Sequence, residues 1–426
     1  MADNTVGALP ADDLKILRDL GEWAAQEATS ARNAEKIRAW YAHDAGQADR
    51  RVMVLAETDY LQDENRPVPE HALRCTDPWA RGIERGLRQR RYEVEVLRDD
   101  HVVSPFIEYT PRVHASGFGV PSGARHDDPA NPLAFHYVPA LRDLDEADFA
   151  RLKHRTFRWN RDEEQPHRDR LQVVFAGILP VRRRTAPWHL GMPLTSTALD
   201  LVGLDQFMVL MYDNPDGLHR LMAFLRDDML AFMAFLEENS LLDLNNEADY
   251  VGAGSMGFTR SLPAVDYDGR KVRAKDRWFL AESQESVGIS PEQYGQFVFP
   301  YLKDLAQHFG RVYYGCCEPA HAILECLRTL PGLARISVSP WADEQKMGQF
   351  CRESGVAYSR KPTPNILSAD RYDEAQQRDH LARTVDAAHG CRLEIIQRDV
   401  YTTRNQPQRF VRWVQLAREE GAKRRR

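Results

Sequence analysis

Along most of its length the chain alternates short β-rich runs with amphipathic helical stretches, and this alternation limits the accessible folds more than any other feature. The β-rich runs are RVMVLAE (51–57), HVVSPFIEY (101–109), LQVVFAGI (171–178), YVGAG (250–254), RWFLAES (277–283), RVYYGCC (311–317), LARISVS (333–339), VAYSR (356–360) and RLEIIQRD (392–399). Most read as buried strands, near-continuous in apolar residues as strands covered on both faces are. Between them lie LDQFMVLMYDNPDGLHRLMAFLRDDMLAFMAFLEEN from Leu204, SPEQYGQFVFPYLKDLAQHFG from Ser290, DEQKMGQFCRESG from Asp343 and PQRFVRWVQLAREEG from Pro407. Strand followed by helix, repeated about eight times, predicts an α/β fold whose parallel sheet closes into a (β/α)8 TIM barrel. Ser290-Pro291-Glu292 reads as an N-cap followed by an N1 proline, and Gly310 and Gly355 read as helix stops.

Ahead of the first strand, Leu14, Leu17, Leu20, Trp23 and Ala24 share a helical face. The expected organisation is a helical extension over residues 1–49 and one barrel over residues 50–426. The stretch from Gly117 to about Arg170, rich in Pro, Asp, His and Arg, reads as an excursion from it. A formal charge of -6, from 63 acidic and 57 basic side chains, argues against nucleic acid as the main partner. The basic cluster Lys423-Arg424-Arg425-Arg426 reads as a solvated end. No apolar run is long enough to span a membrane, and the amino terminus lacks the pattern of a signal peptide, so a cytoplasmic protein with no membrane partner is expected. The six cysteines are too few for a disulfide framework and are expected as free thiols, with Cys75, Cys326 and Cys351 as small core residues.

Barrel enzymes place their chemistry at the carboxyl ends of the strands. Those positions are polar here: Glu57 and Asp59, Glu108, Glu282 with Ser283 and Gln284, Cys316 to Glu318, Ser339, Lys361 and Asp399. A carboxylate at such a position also serves to cap the next helix, as Asp399 could for Thr402 or Thr403. Successive strand residues face opposite sides, so only one of Cys316 and Cys317 is expected in the barrel mouth unless the strand has already ended. Cys317, beside Glu318 and His321, is the preferred one, with Cys316 packed against the wall. Cys391 stands just before the last strand and is expected to bring a second sulfur to the same mouth. Two thiolates, further O or N ligands and one open position would make a catalytic zinc site.

The segments WFLAESQESVGISPEQYGQFVFPY, YYGCCEPAHAILECLRTLPGLARISVSPWADEQKM, YSRKPTPNIL and CRLEIIQRDVYTTRNQPQRFVRWVQLAREE form an ordered set over roughly a third of the chain. Through them the chain resembles the uroporphyrinogen decarboxylase superfamily, and within it the GCCEP proteins grouped with corrinoid-dependent methyltransferases. VMVLAETDY and DPWARGIERGLRQRRYE are similar, more weakly, to that family's first strand and following helix. The resemblance implies the same barrel. It also implies a zinc ion held by a His-x-Cys pair after one strand, whose cysteine corresponds to Cys317, and by a second cysteine that corresponds to Cys391. The histidine's position falls on Gly315, which cannot ligate, so a third ligand is expected from Glu318, Glu282, Glu57 or His321, with Glu318 preferred.

Glu57, Glu282, Asp399 and Tyr401 are the expected catalytic residues, Tyr401 standing where related sequences carry a histidine. The implied function is a zinc-dependent methyltransferase or demethylase that moves a methyl group between a small molecule and a corrinoid protein. The corrinoid (cobalamin) is expected on a separate partner, because no Asp-x-His-x-x-Gly sequence occurs in this chain. The alternative is a metal-independent decarboxylase of a small carboxylic acid, although AETDY stands where the founding enzyme has Arg-Gln-Ala-Gly-Arg. A non-catalytic scaffold is the third reading, and a homodimer is among the expected assemblies.

Overall fold

The computed structural model describes residues 9–121, 124–125, 136–185 and 194–423, so Arg424, Arg425 and Arg426 of the basic cluster lie outside the described residues. Two helices open the chain, α1 (Ala11–Ala28) and α2 (Ala31–Asp44), the second capped by the Ser30 side chain on the Asn33 amide. β1 (Met53–Ala56) is followed by α3 (Pro78–Tyr92), which starts on an Asp77 cap with Pro78 at N1. Next come β2 (Ile107–Tyr109), α4 (Arg161–Phe175), β3 (Val181–Arg183), α5 (Leu204–Asp213), α6 (Pro215–Glu238) and β4 (Tyr250–Gly252). The carboxyl half runs β5 (Trp278–Ala281), β6 (Arg311–Tyr314), β7 (Leu333–Val338), α7 (Glu344–Ser354), β8 (Ala357–Arg360), α8 (Glu374–Ala387), β9 (Leu393–Gln397) and α9 (Gln408–Lys423).

Six strands form one parallel sheet in the order β1-β9-β8-β7-β6-β5. The first strand therefore pairs with the last, Met53 opposite Glu394. β2 and β3 form a separate parallel pair, and β4 joins only a short hairpin strand. The expected (β/α)8 fold is thus present as a parallel arc of six strands with the first paired to the last, and among the described residues no backbone ladder runs from β1 through β2, β3 and β4 to β5 to close it. Side chains seal its two edges. Asp100 and Asp99 accept the Val54 and Ala56 amides at 2.7 and 3.0 Å, and the Asn245 side chain pairs with both the N–H and the C=O of Trp278 at 2.9 and 3.2 Å. Edge amides that would otherwise need another strand are thereby satisfied.

Three expected elements differ. LQVVFAGI is not a strand: Leu171, Val174 and Phe175 are buried at helical spacing on α4, whose first turn carries Asp162, Glu163 and Glu164 behind an Asn160 cap. The adjacent valines mimic a strand, and the strand itself comes later, at Val181–Arg183. The helix expected from Leu204 breaks at Asn214, whose side chain accepts the Gly217 amide at 2.9 Å. The helix expected from Ser290 is also two, Pro291–Phe297 and Phe299–Ala306, because Pro300 has no N–H to continue the first.

One face of the arc carries charged and polar side chains that meet across intervening strands. Arg335 on β7 lies 3.6 Å from Glu394 on β9, and the Tyr313 hydroxyl of β6 lies 3.0 Å from Ser359 of β8. The helical extension closes the amino-terminal end of this inner face. Asp44 of α2 holds Arg311 at 2.9 Å and Arg335 at 3.3 Å, while Trp40 packs with Met53, Leu55 and Ile396 and donates to the Asp100 carbonyl at 2.9 Å. α1 lies against α3 and α4 through Leu17, Leu20 and Ala24. Residues before β1 are thus part of the main packing. Among the described residues no single helix is long and apolar enough to cross a membrane.

Candidate active site

β6 ends at Tyr314, and Gly315 follows with φ +96°, its amide donating to the Ala281 carbonyl at 2.7 Å. This backbone region strains any residue with a Cβ, and a Cβ here would also sit 3.2 Å from that of Ser337. Because the strand has ended, Cys316 and Cys317 belong to a turn and alternation no longer separates them. Their sulfurs lie 3.6 Å apart, Cys317 exposed and Cys316 partly buried. The expected division into a mouth-facing Cys317 and a wall-packed Cys316 is therefore replaced by a thiol pair. The hydrogen bond from Cys316, with help from Arg398, holds the Cys317 thiol below its usual range against burial, Asp399 and Glu318. The same bond and burial push Cys316 up.

Glu318 faces inward and is almost fully buried. Its carboxylate accepts the Ser283 amide at 3.2 Å and the Cys316 amide at 2.8 Å, tying the turn after β6 to the turn after β5. Ser337 completes the clamp by donating to the Cys316 carbonyl at 2.8 Å. Glu282, at the end of β5, is different. Among the described residues it has no hydrogen-bond or ion-pair partner, and burial, Glu318, Glu285 and Cys317 push its carboxyl up to about 7.

On the other side of the site Glu57, at the end of β1, lies 3.6 Å from Arg398, which follows β9. Burial raises the Glu57 carboxyl in spite of that partner. Arg398 also reaches Asp399 at 3.2 Å, the Tyr60 hydroxyl at 2.7 Å and the Tyr250 hydroxyl at 3.4 Å. Burial opposes its charge, but Glu57, Tyr250 and Asp399 hold its pKa above the usual value. Asp399 stands at φ +59° and does not cap Thr402 or Thr403; Asp63 does, at 2.6 and 2.8 Å. Tyr401 is exposed and edges the Tyr60 ring, 6.1 Å between centroids. Beneath the site the fully buried Lys361 donates to Tyr313 at 2.7 Å and to the Ser359 carbonyl at 3.1 Å, and burial brings its amine down to about 7.

Cys391 is elsewhere. Tyr314, Ile336, Tyr358 and Leu393 pair in one line across β6 to β9. Cys317 follows that line and Cys391 precedes it, an offset of roughly 16 Å at about 3.3 Å per residue. The Cys391 thiol donates to the Gly348 carbonyl of α7 at 3.4 Å and borders a cavity with Arg50, Arg51 and Gly421. His321 accepts the Asp343 amide at 3.2 Å and is a helix-end partner. Among the described residues no group of three or more His, Cys, Asp or Glu side chains is placed to hold a metal ion. The donor set expected for zinc, Cys317 with Cys391 and Glu318, does not fit. Cys391→Ser is accordingly expected to leave the activity of the site within a factor of about two and to cost only local packing, about 1 kcal/mol or less in chemical denaturation.

Sequence reasoning missed Arg398, Tyr60 and Tyr250. Arg398 was the recoverable one, because it stands two and four residues beyond Ile396 and Glu394 on the same face of β9.

No family model and no curated protein matches the chain. Among solved structures, a methyltransferase from Methanosarcina mazei aligns with 90% of this chain and 98% of its own, at 12% identity and a TM-score of 0.47. A likeness at that level says nothing about reaction or substrate.

Proposed function

We propose that this protein is a small-molecule methyltransferase or demethylase working at the carboxyl ends of β5, β6 and β9, with Glu282 as its proton-exchanging group. Glu282 itself carries the reading. A half-buried carboxyl with no hydrogen-bond or ion-pair partner among the described residues, pushed up to about 7 by burial and acidic neighbours, is able both to hold and to release a proton at working pH. Methyl transfer to a thiol needs this: the bond from methyl to its donor breaks, a carbon–sulfur bond forms, the donor keeps the electron pair, and the thiol proton passes to Glu282. In demethylation the protonated Glu282 returns that proton to the departing heteroatom. Cys316 and Cys317 line the same site, and the thiolate form of Cys317 helps to keep the Glu282 proton in place, while Cys316 stays protonated.

The methyl group, and a corrinoid protein as its carrier, come from the sequence resemblance. No step is assigned to zinc, for which the donors do not fit. Decarboxylation is the weaker reading because Arg398, which would hold a substrate carboxylate, is already committed to Glu57, Asp399, Tyr60 and Tyr250.

The test uses free methylcobalamin as donor and a panel of small thiols as acceptors, followed by the corrinoid spectrum. Demethylation well above the uncatalysed rate is expected; no acceleration with any acceptor overturns the reading. In the same assay Cys317→Ala moves the inflection near pH 7 downward, because loss of a negative neighbour eases ionisation of Glu282. An inflection that stays in place contradicts the coupling of the two groups.

A further inference from the structure

We propose that Cys316 and Cys317 form a redox-active dithiol that exchanges with small-molecule disulfides and closes into a disulfide between adjacent residues. The exchange chemistry does not depend on methyl transfer; only its consequence for activity rests on the function proposed above.

Four observations point to it. The sulfurs already lie 3.6 Å apart, so a movement of roughly 1.5 Å brings them to a bonding distance of about 2 Å. The pair sits on a turn beyond the end of β6, so it can adjust without breaking a strand ladder. Cys316 is anchored at both its amide, by Glu318, and its carbonyl, by Ser337, so the movement falls on the exposed Cys317. Finally, the two thiols are unequal. Cys317 is accessible and its sulfur is hydrogen-bonded to that of Cys316, a contact that lowers the Cys317 pKa, while Cys316 is held behind it. An attacking thiolate with a resolving thiol beside it is what dithiol exchange requires.

The steps balance with a disulfide as oxidant. The Cys317 thiolate attacks one sulfur of the small disulfide, forms a mixed disulfide and releases one thiolate. Cys316 loses its proton to solvent and attacks the Cys317 sulfur, closing the protein disulfide and releasing the second thiolate. The protein pair is oxidised by two electrons and the small disulfide is reduced to two thiols. Closure removes the negative charge beside Glu282, so the oxidised protein would carry its proton-exchanging group at a lower pKa.

The experiment treats the full-length native protein with oxidised glutathione at neutral pH, alkylates the remaining thiols and maps the peptides by mass. In the wild type the Cys316–Cys317 peptide is expected to lose two hydrogens and to resist alkylation until a dithiol reductant is added. Cys316→Ser should stop at one glutathione on Cys317, and Cys317→Ser should react at neither position. A stable wild-type glutathione adduct on Cys317 with Cys316 still alkylatable, oxidation confined to other cysteines, or no reaction at all overturns the proposal. Disulfide closure without methyl transfer in the corrinoid assay would overturn the proposed function and leave the dithiol standing.

Discussion

Replacing Glu282 by glutamine lowers turnover about 100- to 10,000-fold, the range by which a positioned acid–base group contributes to catalysis. The substitution keeps size and shape, and Glu282 makes no hydrogen bond or ion pair among the described residues that the amide would break, so the fold has little reason to change. What is lost is the titration. The wild-type carboxyl is pushed up to about 7, so with a thiol acceptor the rate rises with pH through that value as the base form appears. Glu282→Gln should lose that inflection and keep only that of the acceptor thiol, near pH 8.5 for an ordinary one. A variant with full turnover, or with the same inflection, would remove Glu282 from the mechanism.

Asp44→Ala is expected to have the largest effect on stability, about 3–5 kcal/mol in urea or guanidinium denaturation, because it strips a buried ion cluster of one of its two acids. Asp44 binds Arg311 at 2.9 Å and Arg335 at 3.3 Å, and Arg335 is fully buried with Glu394 as its remaining acid at 3.6 Å. Burial alone would raise the Asp44 carboxyl, but Arg335 and Arg311 outweigh it and hold the pKa below the usual value. The folded pKa is the depressed one, so this contribution is complete above the ordinary aspartate range and is lost as pH falls through the folded value. Asp44→Ala should therefore be most costly near neutrality and cost progressively less in acid. A cost below about 1 kcal/mol at neutral pH would mean that the closed end of the inner face does not rest on this cluster.

The strands of the parallel arc were legible because central parallel strands are buried on both sides and leave short apolar runs. LQVVFAGI shows the limit: a short apolar run with two valines satisfies strand and helix patterns alike, and the helix was decided by the caps and acidic first turn before it. Glu57 and Glu282 were found because the carboxyl ends of parallel strands share one end of the sheet. The same rule, applied with strand direction, excludes Cys391, since a residue preceding a strand lies at the opposite end from one that follows a parallel neighbour. The thiol pair was half legible. Gly315 marks the end of β6, and from there alternation gives no guidance about Cys316 and Cys317. Partners such as Asp44 and Arg335, 291 residues apart in sequence, left no local signal at all.

The ionisation of Glu282 can be measured without a substrate, by infrared titration of wild type against Glu282→Gln. The difference should contain one carboxyl that gives up its proton near pH 7, and Cys317→Ala should move it lower. If the difference shows only a carboxyl titrating below about pH 5, in the range of an ordinary glutamate, Glu282 is not the proton-exchanging group and the proposed chemistry at this site is wrong.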